Sequence, residues 1–237
     1  MSTHPLISGL NEKQATAVSA DDRPMLVLAG AGSGKTRVLT HKIAHLIEEG
    51  LFKPEEILAV TFTNKAAEEM SNRVIALLNQ KNIPLNIGTF HSICSRLLRK
   101  EIHCLGFSKD FVIYDVQDQI ALIRVVMDEL KIARSFVDPR TVSNTISHYK
   151  NKMLNANAAK KSARTIIDKT IIDIFKNYQI ALKKNNALDF DDLLLFPLVL
   201  FEKFPDVLKK YQEKWKYVLV DEYQDTNRPQ FLFINAI

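Results

Sequence analysis

The stretch AGAGSGKT occupies residues 29–36 and follows the apolar run MLVLA at residues 25–29. The run predicts a buried β-strand, and residues 35–49 predict a helix. Between them, the glycines allow positive φ, so that backbone N–H groups can turn toward an anion at the positive end of the helix dipole. In such a loop Lys35 bridges two phosphates of a nucleotide and Thr36 ligates Mg²⁺. The stretch therefore predicts an α/β fold with a phosphate-binding loop, called the phosphate loop below.

The phosphate loop departs from the strict pattern at one position. Ala29 stands where that pattern has glycine, a change that a small residue should tolerate. Placement between a strand and a helix favours a phosphate site over a glycine-rich turn without a ligand. The candidate nucleotide-binding residues of the loop are Ala29, Gly30, Ala31, Gly32, Ser33, Gly34, Lys35 and Thr36.

A second element, YVLVDE at residues 217–222, is predicted to be a buried strand that ends in two carboxylates. Asp221 is the candidate Mg²⁺ ligand beside Thr36, and Glu222 is the candidate base for an attacking water. Two acids after an apolar strand are a weak signal alone. Together with the phosphate loop they indicate hydrolysis of a nucleoside triphosphate.

The remaining pattern divides the chain. ILAVT at residues 57–61 predicts a further buried strand and residues 65–79 a helix, which is βαβ spacing and hence a parallel sheet. Residues 85–89 are a weaker strand candidate. Helical periodicity then dominates up to residue 212, with only residues 111–114 extended.

Because the strand at residues 217–220 returns to the α/β pattern, we predict an inserted domain. Residues 1–90 and 214–237 would form the parallel-sheet domain, and residues 91–213 a mostly α-helical insertion. The apolar ending FLFINAI leads us to expect that the chain was cut from a longer one.

Composition excludes several classes. The 237 residues are 46% hydrophobic and 25% charged, as in an ordinary globular protein. The longest uncharged apolar run, residues 193–201, falls far short of the roughly 20 residues of a membrane helix, so no membrane partner is expected. No secretory signal is visible, which predicts a cytoplasmic location and free thiols for both cysteines.

Two clusters resemble metal sites. The spacing of His91, Cys94, His103 and Cys104 fits no usual zinc finger, and we expect buried thiols and surface histidines. The acids Asp189, Asp191 and Asp192 precede an apolar run, which favours helix capping over metal binding.

Charge is concentrated in residues 140–184, which hold ten Lys and Arg against two Asp, a net +8 in a chain of net +5. This basic stretch predicts a surface that meets a polyanion, with a solvated helical face as the alternative. We expect it to contact the backbone of duplex or junction DNA.

Six segments together resemble the motifs of the UvrD/Rep/PcrA family of superfamily 1 DNA helicases. Their order and spacing cover almost the whole chain. They are LNEKQATAV (10–18), AGAGSGKTR (29–37), AVTFTNKAAEEM (59–70), IGTFHSICSRLLR (87–99), ALDFDDLL (187–194) and VDEYQDTNRPQ (220–230).

The resemblance implies a RecA-like, P-loop ATP-binding domain interrupted by the helical insertion. It implies the N-terminal part of an ATP-dependent 3′–5′ DNA helicase that uses ATP and Mg²⁺ and acts on single-stranded and junction DNA. A second RecA-like domain of the same polypeptide would complete the ATP cleft. Without it, this stretch is expected to bind nucleotide weakly and to unwind nothing.

The resemblance also assigns residues. Gln14 matches the glutamine that reads adenine, and Arg37 an arginine that packs on its face. Gln224 lies in the Walker B segment, defined here as residues 217–225, and joins the catalytic set of Lys35, Asp221 and Glu222. The candidate DNA contacts are Thr61, Phe62, Asn64, Thr89 and His91.

Two alternatives remain open from the sequence. A helicase-nuclease subunit of the RecB/AddA type shares these motifs, although the compact insertion disfavours it. A nucleotide- or DNA-binding module without turnover is the other, and the intact Glu222 argues against it for the parent protein.

Overall fold

The computed structural model describes residues 6–20, 23–30, 32–80 and 82–237. In chain order the helices and strands are α1 (Glu12–Ser19), α2 (Lys35–Glu48), β1 (Ile57–Thr61), α3 (Asn64–Leu78), β2 (Asn86–Thr89), α4 (Phe90–Glu101), β3 (Val112–Tyr114), α5 (Val116–Glu129), α6 (Pro139–Asn151), α7 (Ala156–Ala159), α8 (Ile166–Lys184), β4 (Ala187–Asp189), α9 (Phe190–Lys203), α10 (Pro205–Lys214), β5 (Tyr217–Val220) and α11 (Arg228–Ala236). They form two compact units. Unit 1 holds the described residues up to 93, residues 209–225 and Ile237, and unit 2 holds residues 94–208 and 226–236.

Unit 1 is built on a parallel sheet with strand order β2-β1-β5. Every residue of β1 is buried, as expected for a parallel strand covered on both faces. Thr61 pairs with Thr89, and the Asp221 amide donates to the Val60 carbonyl at 2.9 Å. The carboxyl ends of the three strands therefore meet at one edge, which places Thr61, Thr89 and Asp221 side by side. This confirms the predicted α/β class.

The strand predicted at residues 25–29 is not formed. The described residues there have no regular secondary structure, and Met25, Leu26, Val27 and Leu28 are exposed. A strand needs hydrogen bonds from a neighbour, and no strand in the described part of the chain pairs with this run. The run is apolar, but among the described residues it has no strand to pair with.

The helices of unit 1 cover the sheet. The predicted helices at residues 35–49 and 65–79 are confirmed as α2 and α3, each within a residue of its expected ends. Ile43 and Leu46 of α2 meet Met70 and Val74 of α3 in one core with Ile57 of β1. Their spacing of three and four residues is what brings these side chains to one face of each helix.

Unit 2 is mostly helical, with one short parallel pair, β3 and β4. The predicted extended segment at residues 111–114 is confirmed as β3, whereas β4 is too short to leave a periodic pattern. The core joins α5, α6 and α8 through residues that include Met127, Val142, Ile146 and Phe175.

Helix α11 packs in unit 2, although the predicted domain division assigned residues 214–237 together. Phe233 of α11 stacks on Phe201 of α9, with ring centroids 6.0 Å apart and an interplanar angle of 16°. Phe233 is also buried. Burial of an aromatic ring is a large stabilising contribution, which explains why these residues join α9.

Both cysteines are free thiols, as predicted. Burial of Cys94 raises the pKa of its thiol far above the ordinary value, so this thiol stays protonated. None of the helices that the structure describes is long and apolar enough to cross a membrane.

Candidate active site

The phosphate loop leads directly into α2. Gly34 is the N-cap of this helix with φ of 87°, and Gly32 has φ of 75°, both in the left-handed region that favours glycine. A Cβ atom on Gly34 would lie 2.7 Å from Nε2 of Gln14, so no other residue fits without displacement. A Cβ on Gly32 would meet nothing within 4 Å. The described glycines Gly30 and Gly32 therefore border open space at the start of α2, where a phosphate could bind. Ala31 lies outside the described residues.

Hydrogen bonds join residues that precede the phosphate loop to the loop and to the start of α2. Gln14 Nε2 donates to the Ser33 carbonyl at 3.0 Å, and Gln14 Oε1 accepts from the Asn11 amide as part of the capping box of α1. Arg37 Nη2 donates to the Gly9 carbonyl at 2.8 Å. The two predicted adenine contacts, Gln14 and Arg37, thus lie at the loop, and both amide atoms of Gln14 already have protein partners.

Lys42 is a buried residue that the sequence analysis missed. Its side chain is 3% exposed, and Nζ donates to the carbonyls of Val18 and Ala20 at 3.0 and 2.5 Å. These carbonyls lie at the C-terminal end of α1, where a positive charge offsets the helix dipole. Its spacing of four residues from buried Val38 and from buried Leu46 places it on the inner face of α2, and this is the signal that would have revealed it.

The Walker B segment brings its acids toward the loop. Glu222 Oε2 lies 3.4 Å from Lys35 Nζ and accepts a hydrogen bond from Gln224 Nε2 at 2.6 Å. Glu222 has φ of 49°, a left-handed conformation that is unfavourable for a residue with a Cβ. Three of the four predicted catalytic residues therefore come together, because Lys35 and Gln224 both contact Glu222.

The two carboxyls have opposite pKa shifts. Burial raises the pKa of Asp221, with the neighbouring Glu222 charge adding to the effect. The hydrogen bond from Gln224, followed by that from Lys35, lowers the pKa of Glu222, so this carboxylate is ionised at neutral pH. Thr36 and Asp221 offer the hydroxyl and carboxylate oxygens that suit Mg²⁺.

The predicted DNA contacts lie along the carboxyl edge of the sheet. Thr61 is 2% exposed, and its hydroxyl hydrogen bonds with Asp221. Thr89 is buried and accepts from the Ser92 amide at 3.2 Å, which caps α4. The side chains of these two threonines therefore bond to protein groups at the sheet edge. Their contacts with DNA stay predictions.

Three other candidates at this edge are less enclosed. Phe62 is half-buried, with its ring edge-on to buried Phe90 at a centroid distance of 5.8 Å. Asn64 is exposed at the start of α3. His91 is half-buried, and burial lowers the pKa of its imidazole.

One lysine of the basic stretch, Lys150, is buried, so the prediction that the stretch contacts DNA is wrong for this residue. Lys150 is 1% exposed, and its Nζ lies 2.5 Å from Asp189 and 2.7 Å from Asp192, so it cannot contact DNA. Its spacing of four from Ile146 and eight from Val142 places it on the core face of α6, a signal that the charge count overlooked. The other nine basic side chains of the stretch are exposed.

The acids that pair with Lys150 confirm the capping prediction. Asp189 accepts from the Asp192 amide at 2.9 Å, and the two form a capping box at the start of α9. Tyr178 donates its hydroxyl to Asp189 at 3.0 Å. These four residues, Lys150, Tyr178, Asp189 and Asp192, are called the ionic cluster below.

The chain is similar to known proteins along almost its whole length. Residues 10–237 match the family described as UvrD/REP helicase N-terminal domain. The ATP-dependent DNA helicase PcrA of Bacillus subtilis (strain 168) is 44% identical over 235 residues, covering 99% of this chain and 32% of that protein. PcrA of Leuconostoc citreum is 43% identical, covering 100% and 32%, and PcrA of Staphylococcus aureus (strain Mu50 / ATCC 700699) is 41% identical, covering 98% and 32%.

The chain thus spans about a third of the length of the curated relatives it matches. Its phosphate loop, its Walker B segment and the parallel sheet that carries them all lie within the matched residues. The chain belongs to the UvrD/REP helicase family.

Proposed function

We propose that this chain is the N-terminal, ATP-binding part of an ATP-dependent DNA helicase that moves 3′ to 5′ on single-stranded DNA. The observation that carries the proposal is the 3.4 Å approach of Lys35 in the phosphate loop to Glu222 of the Walker B segment. A cation for phosphate and an ionised carboxylate for water at one site fit nucleotide hydrolysis. The names of the relatives, all ATP-dependent DNA helicases, support the same activity.

Each residue has a distinct role in the proposed reaction. Lys35 and the amides at the start of α2 bind the phosphates, and ATP displaces the Lys35 contact with Glu222. Glu222, freed from that pair, orients the attacking water and takes its proton. Gln224 holds the Glu222 carboxylate through its 2.6 Å hydrogen bond. Mg²⁺ held by Thr36 and Asp221 would offset the phosphate charge.

The DNA path is proposed at the carboxyl edge of the sheet. Open α/β sheets bind ligands at this edge, and Phe62 presents part of its ring there. A base could stack on that ring while Asn64 bonds a phosphate. The exposed basic side chains of unit 2 would hold duplex or junction DNA through its backbone.

The whole protein is proposed to include a second RecA-like domain that completes the ATP cleft. The relatives are about three times as long as this chain, which leaves room for it. An arginine that reaches the γ-phosphate contributes roughly 10³ to 10⁵ in rate in comparable hydrolases. The isolated chain is therefore expected to bind ATP weakly and to hydrolyse it very slowly.

Two substitutions in the full-length protein test this proposal. Lys35→Ala should abolish ATP binding measured by calorimetry, because the phosphates lose their main cation. Glu222→Gln should leave ATP binding intact and lower DNA-stimulated hydrolysis by roughly 10² to 10⁴, the contribution of a positioned base. The exposed Glu55 supplies a matched control, Glu55→Gln, which should hydrolyse ATP like the unmodified protein. Unchanged hydrolysis in Glu222→Gln would refute the assignment.

A further inference from the structure

We propose that Asn151 of α6 is a positioning residue for ATP hydrolysis, acting through Asn227, which follows the Walker B segment. The proposal rests on the function proposed above. Asn151 does not touch the reacting groups. Its effect passes to Glu222 along the five positions of chain that separate Glu222 from Asn227.

The start of α11 is fixed by two reciprocal hydrogen bonds. The side chain of Asn227 accepts from the Gln230 amide at 3.0 Å, and the side chain of Gln230 accepts from the Asn227 amide at 3.0 Å. Gln230 is 7% exposed. This reciprocal capping sets where α11 begins and therefore where the Walker B segment must end.

Within unit 2, the side chain of Asn227 forms a hydrogen bond with that of Asn151. Asn227 Nδ2 donates to Asn151 Oδ1 at 3.0 Å, and Asn151 Nδ2 donates in turn to Asp191 Oδ1 at 3.1 Å and to the Ser147 carbonyl at 3.0 Å. A flip of either amide would bring two donors or two acceptors together. The chain of bonds therefore has only one satisfied direction, from Asn227 to Asp191.

The anchor of Asn227, formed by Asn151 and Asp191, lies next to buried ion pairs. Asp191 is adjacent to Asp192 of the ionic cluster, and Asn151 is adjacent to Lys150. Both neighbours are buried and ion-paired at 2.7 Å, which holds α6 and α9 together at this point. Asn227 is thus attached to a part of unit 2 that buried ion pairs constrain.

The backbone between Glu222 and Asn227 connects this anchor to the proposed catalytic carboxylate. Glu222 has φ of 49° and is followed by a short turn in which the Asp225 amide donates to the Glu222 carbonyl at 2.9 Å. An unfavourable backbone conformation persists only where its surroundings hold it. Loss of the bond from Asn227 to Asn151 would let this turn relax. The Glu222 carboxylate would then move away from the water that it must activate.

Asn227→Asp separates capping from the bond to Asn151. The aspartate still accepts from the Gln230 amide and caps a helix as well as asparagine, but it has no N–H to donate to Asn151. Asn151→Ala removes the same bond from the other side. Asn144→Ala, at an exposed position of the same helix, is the matched control.

The experiment measures single-strand-stimulated ATP hydrolysis and ATP affinity in the full-length protein. We expect Asn227→Asp and Asn151→Ala each to lower kcat about tenfold or more, as a small displacement of a catalytic group does, with ATP affinity within about twofold. The double variant should be no slower than the slower single variant, because both changes remove one bond. Asn144→Ala should match the unmodified protein.

A purely structural role predicts a different result. In that case the variants would lower the melting temperature while the folded fraction keeps its kcat, and this outcome, or kcat within twofold in Asn227→Asp, would overturn the inference. If Asn151→Ala fails to fold, Asn227→Asp decides alone because its cap is intact. Glu222→Gln is measured in parallel. Normal hydrolysis in that variant would instead refute the proposed function, and this inference with it.

Discussion

Single side chains at the carboxyl edge of the sheet contribute both to packing and to the proposed DNA path. Thr61 and Thr89 are buried there and have protein partners, so their first contribution is to the sheet edge. Phe62 differs because it is half-buried and touches Phe90 only edge-on. Base stacking and core packing therefore predict different results for its removal.

Phe62→Ala in the full-length protein should weaken single-strand binding by about 1 to 3 kcal/mol, the cost of losing one stacked base. The melting temperature of the Phe62→Ala variant should change little, because part of the Phe62 ring is already exposed. Phe90→Ala gives the packing reference, since its ring is 1% exposed and its loss should cost roughly 3 to 5 kcal/mol of stability. Thermal unfolding and fluorescence anisotropy with a labelled single strand measure both quantities. The stacking role fails if Phe62→Ala unfolds as early as Phe90→Ala but binds DNA normally.

Between elements, the ionic cluster joins α6, α8 and α9 inside unit 2. The single ammonium of Lys150 contacts the carboxylates of both Asp189 and Asp192. If both were ionised, the cluster would carry a net charge of −1. Burial and the Asp189 charge raise the pKa of Asp192 to about 7. Lys150 and the hydrogen bonds around Asp189 lower the pKa of that carboxyl. Asp192 is thus the carboxyl that accepts a proton first.

The shift at Asp192 predicts how stability changes with pH. Between the ordinary pKa of an aspartate, 3.8, and about 7, the folded protein binds a proton at Asp192 that the unfolded chain has released. The free energy of unfolding should therefore fall as pH rises across this interval. Asp192→Asn keeps an acceptor for Lys150, removes the titration and should flatten this part of the profile. Denaturant unfolding at pH 5, 6 and 7 measures it, with the exposed Asp173→Asn as control.

A steeper decline of the free energy of unfolding with pH in Asp192→Asn than in the unmodified protein would contradict this account of the cluster.

Lys150→Met tests the same cluster by removing its cation. Its side chain fills similar space but leaves two buried carboxylates without a cation, which should cost roughly 3 to 5 kcal/mol.

Over the whole molecule, positive charge is concentrated in unit 2. The basic stretch carries net +8, and the remainder of the chain is therefore at −3. Nine of its ten basic side chains are exposed, on α6, on α8 and on the residues between them. A polyanion that binds through its backbone would be attracted to this surface whatever its base sequence.

Replacing Lys152, Lys160 and Lys161 with Gln in the full-length protein should weaken binding to junction DNA for every sequence tested. The slope of log affinity against log salt should fall by about 0.9 for each phosphate that the protein no longer neutralises. A control with three exposed lysines elsewhere in unit 2, Lys109, Lys131 and Lys203, removes equal charge from outside the stretch. An equal decrease of slope in both variants would show that net charge, and not this surface, attracts DNA.

The sequence by itself determined the parallel sheet, the phosphate loop and the acids that follow β5. These features depend on neighbours within a few positions, namely apolar runs, glycines that accept positive φ and carboxylates after a strand. It also predicted the cap at Asp189, since a cap acts over two or three residues.

Only the tertiary structure decided which polar residues are buried and which strand finds a partner. Lys150 meets Asp189 across 39 positions of sequence, Lys42 meets Val18 across 24, and Asn151 meets Asn227 across 76. An apolar run such as residues 25–29 becomes a strand only where another backbone offers hydrogen bonds. Pairings of this kind depend on how distant segments pack, and local periodicity carries no information about them.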